Sequence, residues 1–552
     1  MKVFQFRVLY RVFLLRVVDL ELLSANGDTT KLLGQLAALL AGISFLFCLP
    51  LLVIGGGWNE RDLWIMEHLF IKTSMLTVGL FSVLSWESIF PDKRDVLVLA
   101  PLPVATPTIF IAKLAALAYA LGAAIVSLNV FTGLAWPLLF SSGFAASAIR
   151  SYIAYWITMF AASAFMFFSV LTLQGIASQM LPRQLYLRVS ALLQVSTFCL
   201  FLCVFFVEPT SVTESVLLNP RIQWLPTFWF FGFFQQLNGS SASIKPIFAA
   251  LASRALMALI VSVLGATTTL LLSYLRTMRK IVEAPDIVPE SRVVKCPNFP
   301  AHSLSGAITQ FCLRTLLRSR HHRVILSFYF GVGLAVVLAY VNIFSIVEGP
   351  LRGRLSSLAA APFLAASVLM MCVAIGGIRI VSSMPIVLQA NWIFRITEFH
   401  APSVYLASAR RAFCVLGMVP VWLGSSVLFF VFWPWRLALE HLLVLGIFGM
   451  ILIEACLFGF QRIPFTCAYL PGKGNLQYVF WACAFLLLPL VSAGAKVEMQ
   501  VFNHPLGYGA IIMILSMTLA VARWHTKEVF RPVARMQFDE VDPPEIISLS
   551  LN

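Results

Sequence analysis

Residues 32–55 read LLGQLAALLAGISFLFCLPLLVIG, a stretch without one charged side chain. A soluble helix of that length would turn a polar face to water. A bilayer instead demands runs of about 20 apolar residues, each closing its own backbone hydrogen bonds as a helix. The chain repeats the pattern. Further apolar runs lie at 63–85, 114–140, 151–176, 188–207 and 247–275, and after a break at 325–347, 358–383, 411–433, 437–460, 476–495 and 505–523. Composition agrees: 11% of residues are charged, against roughly 25% in ordinary soluble domains. The expected fold is an all-α polytopic membrane protein of about 12 transmembrane helices, arranged as two tandem six-helix repeats.

The formal net charge is +15, which raises the question of a nucleic-acid partner. Most Lys and Arg fall in loops between apolar runs, where they act as topology determinants at an anionic membrane face. No nucleic-acid partner is therefore expected. With the N-terminus inside, 29 of the 39 basic residues fall in the N-terminal stretch, the even-numbered loops and the C-terminal tail. The positive-inside rule thus places both termini in the cytoplasm. The expected setting is a bacterial plasma membrane. The 10 cysteines are scattered and form no CxxC pair, so neither a disulfide framework nor a zinc site is expected.

Four segments follow. Residues 1–278 form a first six-span half, led by MKVFQFRVLYRVFLLRVV, whose Arg7, Arg11 and Arg16 suit a helix lying at the membrane surface. Residues 279–324 are a basic, proline-bearing cytoplasmic linker ending in a second such helix. Residues 325–523 form a second six-span half, and 524–552 a cytoplasmic tail. In each half a longer loop follows the second span. There TPTIFIA, around Pro107, matches APSVYLA, around Pro402, in character, as a duplication would leave it. The string WLPTFWFFGFFQQL, in the segment 208–246, suits either a re-entrant turn or a short amphipathic helix at the outer leaflet.

Catalytic signatures are missing from the sequence. It holds no GxxxxGK[ST] phosphate loop, no HExxH and no GxSxG. His321 and His322 are adjacent, so on a helix they point about 100° apart and are poor co-ligands; they read as part of the basic linker face. No catalytic, cofactor-binding or metal-binding residue is assigned. The ionisable residues expected inside spans are Glu67, His68, Lys72, Arg254, Arg379 and Glu454. A charge at the bilayer centre costs about 3 kcal/mol on insertion scales, so each needs a partner or a wet cavity. Glu454 reads as the deepest carboxylate, either a proton carrier or a hydrogen-bonded packing element. Lys72 and Arg379 have stems long enough to snorkel towards an interface.

The loops after the second spans mix charge with apolar anchors: Pro91, Asp92, Arg94 and Asp95 in the first, Asn391, Trp392, Arg395 and Glu398 in the second. Such stretches suit docking into a groove of a partner. With SIFPDKRDVLVLAPLPVATPTIFIAK, PIVLQANWIFRITE and the later IPFTCAYLPGKGN (463–475), the chain resembles the permease of ABC-2-type ATP-binding-cassette exporters, with both transmembrane domains fused. The resemblance implies an interfacial helix before six spans in each half, and two copies of a separate ATPase contacting the loop after each second span. It also implies rocking of the two halves when the ATPases dimerise on ATP. The chain itself would then be no enzyme, and the missing phosphate loop fits that division of labour. The rival expectations are a twelve-span secondary transporter and a membrane enzyme acting on lipid-linked substrates.

Overall fold

The computed structural model describes residues 2–18, 29–54, 59–86, 104, 106–140, 145–209, 211–239, 246–283, 304–348, 361–382, 384, 402–458, 464–465, 486–501 and 504–529. Among these there is no strand. The chain divides into two compact units, Met1–Ser291 and Arg292–Asn552.

Unit one begins with α1 (Lys2–Val18) and continues through α2 (Thr29–Ile54), α3 (Glu60–Leu84), α4 (Thr106–Phe140), α5 (Ala145–Met180) and α6 (Arg183–Val207). After a short loop come α7 (Pro226–Asn238) and the long α8 (Pro246–Glu283). Unit two holds α9 (Leu304–Arg318), α10 (Arg320–Glu348), α11 (Ala361–Val381), α12 (Pro402–Phe413), α13 (Val419–Phe432), α14 (Trp435–Leu457), α15 (Leu488–Val501) and α16 (Pro505–Val529). Between α12 and α13 lies one π-helical turn, Cys414–Met418. Pro420 explains it: the missing N–H cannot close the regular bond, and the helix widens locally to carry on.

Ten of the described helices are long and apolar enough to cross a bilayer, with α12, the π turn and α13 counting as one. The molecule is an all-α, multi-pass membrane protein. For two expected spans the described apolar stretch is shorter: Ala37–Leu49 within 32–55, and Leu488–Val501 for 476–495.

Among the described residues, with α7 set aside and α12–α13 counted as one, six helices follow a shorter leading helix in each unit, and they pack alike. The leading helix lies on the start of the third: Leu9 and Phe13 of α1 are buried with Ile109, Ala112 and Ala116 of α4. In unit two α9 packs on α12. There Ile308 and Cys312 are buried, and Arg411 reaches Ser305 Oγ at 3.3 Å. The second helix touches the fourth and fifth in both units, and the fourth packs on the sixth. The second is also the most enclosed, with 61% of the apolar window of α3 and 56% of that of α11 buried. The first helix differs. In unit one it lies against the third, in unit two against the second.

The α5–α8 crossing shows how the fourth and sixth helices meet so closely. Thr172 faces Gly265 and Thr269 faces Gly175, so each glycine lodges a threonine of the other helix. Thr172 Oγ1 also donates to Ser262 O at 3.1 Å. Without the hydrophobic effect to join helices in lipid, small residues and interhelical hydrogen bonds supply the association.

The aromatic string forms a short helix enclosed by its neighbours. This is α7, with Thr227, Phe228, Phe230, Phe231, Gly232, Phe233, Phe234 and Gln235 all buried, packed among α3, α5 and α8. Its apolar residues face three helices, and its buried polar residues Thr227 and Gln235 are paired with Glu208 and Glu67. Gly232 sits where an added Cβ would fall 2.5 Å from Leu251 Cβ. Gly239 ends the helix at φ +65°, a conformation natural to glycine, while Arg150 Nε donates to Leu237 O at 2.9 Å.

Candidate functional site

The candidate ATPase-contacting residues Pro91, Asp92, Arg94, Asp95, Asn391, Trp392, Arg395 and Glu398 lie outside the described residues. What is described is how the helices that bracket those loops are held. At the end of α3, Trp86 Nε1 donates to Ser190 Oγ at 3.0 Å, Gln174 Nε2 to Trp86 O at 2.7 Å and Gln194 Nε2 to Val83 O at 2.9 Å. Two glutamines from α5 and α6 thus satisfy carbonyls that the helix end leaves without intrahelical donors.

The end of α11 is fastened too. His322 of α10 bonds Met384 O at 3.0 Å through Nε2 and Ser319 Oγ at 2.6 Å through Nδ1. Phe465 N donates to Ser382 O at 2.6 Å, with Phe465 at φ +66° and its ring edge-on to His322. Such a φ is strained for an aromatic residue and persists only where surroundings fix it. His322 is buried. It is a tether between α10 and α11, not part of a basic linker face as its neighbours suggest.

At the opposite end of unit one, the expected intramembrane residues form a buried cluster. Lys72 does not snorkel out. Its Nζ approaches Glu208 O at 3.5 Å and Glu208 Oε2 at 3.8 Å, over the Phe205 ring. His68 Nε2 is 3.5 Å from Glu208 Oε1, and Thr227 hydroxyl donates to the same oxygen. Gln235 Nε2 donates to Glu67 Oε2. The side chains of two α7 residues therefore meet the carboxylates that a bilayer would otherwise make costly. Arg254, within the apolar helix Pro246–Leu272, is exposed on α8 and donates to Gln223 O at 3.1 Å, so it binds the loop before α7.

Deeper in unit one an uncharged network runs across four helices. Ser74 Oγ and Tyr155 OH donate to Asn129 Oδ1 at 3.1 and 3.0 Å. Thr132 lies 2.8 Å from Tyr155 OH and 3.4 Å from Ser44 Oγ.

Glu454 is buried near the C-terminus of α14, paired with two arginines. Arg410 Nε lies 2.6 Å from Oε1, off the hydrogen-bonding angle, and Nη2 donates to Oε2 at 2.9 Å. Arg523 Nε is 3.5 Å from Oε1, and Thr526 Oγ1 donates to Oε2 at 3.3 Å. Arg379 reaches the end of the same helix, where its Nε donates to Cys456 O at 2.8 Å.

At the other end of unit two, Ser367 Oγ, His441 and Glu498 form a chain: 2.8 Å to Nε2, then 2.8 Å from Nδ1 to Oε1. Tyr508 OH donates to the same carboxylate oxygen at 2.5 Å. The order resembles a hydrolase triad, but all four groups are buried and Ser367 Oγ also bonds Leu364 O at 2.8 Å. What the chain joins is four helices: α11, α14, α15 and α16.

Sequence reasoning missed Glu208, Gln235, Arg410, His441, Glu498 and Arg523. His441 stood in the quoted apolar run 437–460, where a lone histidine already signals a distant partner. Among the described residues, no group of three His, Cys, Asp or Glu is arranged to hold a metal. Compared with protein families, curated proteins and solved structures, the chain matches none.

Proposed function

We propose that this chain is the permease of an ATP-driven exporter, with both transmembrane halves in one polypeptide and the ATPase on separate chains. The observation that carries the reading is the repeated packing. In each unit a leading helix lies on the third helix of a six-helix set whose second helix is the hub. On this reading nucleotide chemistry belongs to a partner, in keeping with a sequence that holds no GxxxxGK[ST] loop. The fastened helix ends support the mechanical half of the proposal. A push on the loop after α3 would pass through Trp86, Gln174 and Gln194 into α5 and α6. A push on the loop after α11 would pass through Ser382, Met384 and His322 into α10 and residue 465. Packed elements of this kind move as bodies and not by bending. Glu454 is engaged by Arg410, Arg523 and Thr526, so in this proposal it serves to pack the helices and not to carry cargo.

The test is labelling and crosslinking of single cysteines in sealed membranes. Cysteines at 92, 290, 395 and 535 should react only from the cytoplasmic side, and those at 215 and 499 only from outside. From 92 and 395 crosslinks should form to a chain carrying an ATPase phosphate loop. Reaction of 92 or 395 from the outer face would overturn the proposal.

A further inference from the structure

We infer that the end of unit two carrying Arg410 and Arg523 binds the phosphate of an anionic phospholipid between α14 and α16. Three guanidinium groups converge on the C-terminus of α14, from three different helices: Arg379 at Cys456 O, Arg410 and Arg523 at Glu454. Among the described side chains there, Glu454 supplies the one carboxylate. The helix terminus, with its partial negative charge, absorbs part of the excess. Glu454 Oε2 accepts from Arg410 Nη2 and Thr526 Oγ1, and Oε1 lies 2.6 Å from Arg410 Nε.

Arg523 faces Oε1 of that carboxylate without hydrogen-bonding it. Its only described contact is the 3.5 Å approach to Oε1, and its side chain is 46% exposed. An arginine fork with spare donors matches the paired oxygens of a phosphate. The neighbouring surface distinguishes a lipid from a free anion. Ile514, Met517 and Val521 run exposed along α16 towards Arg523, as a track for acyl chains. Trp524 and Phe458 are exposed beside it, with the Phe458 ring 5.3 Å from that of His525. Such aromatics sit at headgroup level in membranes. The site rests on the orientation proposed above, which makes this end cytoplasmic, where anionic lipids gather and basic pockets between helices capture their headgroups.

Native mass spectrometry of the purified full-length chain, offered equal phosphatidylglycerol and phosphatidylcholine, tests the site. The chain should retain phosphatidylglycerol preferentially. Arg523→Gln should weaken that retention about fivefold, the loss expected for one basic side chain at an anionic headgroup, and Arg523→Lys, which keeps the charge but not the fork, should weaken it less. Inorganic phosphate should not displace the lipid. Equal retention of both lipids, or unchanged phosphatidylglycerol binding in Arg523→Gln, would overturn the inference. Displacement by inorganic phosphate would overturn it as well, by showing a small-anion site instead.

Discussion

Glu454→Leu is expected to destabilise unit two by about 3 kcal/mol, because it strips the carboxylate from two arginines at once. Arg410 is the more damaging orphan. Its side chain is only 25% exposed, whereas Arg523 at 46% can turn to water or headgroups. The measurement is folded yield and thermal melting in detergent, against Glu454→Gln as the shape-matched control. The amide keeps an acceptor for Arg410 and Thr526, so Glu454→Gln should fold near normally and retain most transport. A proton-coupled carrier would behave differently. It would fold with glutamine in place and lose transport driven by a pH gradient.

Gly175→Ala should weaken unit one by about 1–3 kcal/mol, the usual cost of forcing extra volume into a filled contact. The added Cβ would lie 2.3 Å from Thr269 Oγ1 and 2.4 Å from Thr269 Cβ. A hydroxyl can rotate away, but a Cβ is fixed to its backbone, so α5 and α8 must move apart. Thr269→Gly combined with Gly175→Ala should recover much of the loss, a non-additivity expected only where two residues touch. Additive losses in thermal melts of the two singles and the double would show that the crossing is not as close as described.

Much of the fold was legible because lipid removes ambiguity. An uncharged run such as 32–55 has few alternatives to a helix, and basic residues between runs mark its ends. The partners of the buried charges were not legible. Gln235 is far from Glu67 in sequence, and Glu498 from His441, so no local spacing announces either pair. Arg410 fell one residue before the expected span at 411, whereas the helix starts at Pro402. α7 misled for a different reason. PTFWFFGFFQQLN has aromatics enough for a membrane interface, and what decides its place is the pairing of its Thr227 and Gln235 with Glu208 and Glu67, which no local pattern shows. The loops containing Asp92 and Arg395 carry the docking proposal from sequence alone. The structure contributes the fastened helix ends on which such loops would act.

The most direct measurement of the central claim is ATP turnover by the purified chain, freed of contaminating ATPases and reconstituted in lipid. The account predicts none from the chain alone, and turnover only when a separate ATPase chain is retained with it. Robust hydrolysis by the isolated chain would contradict the account.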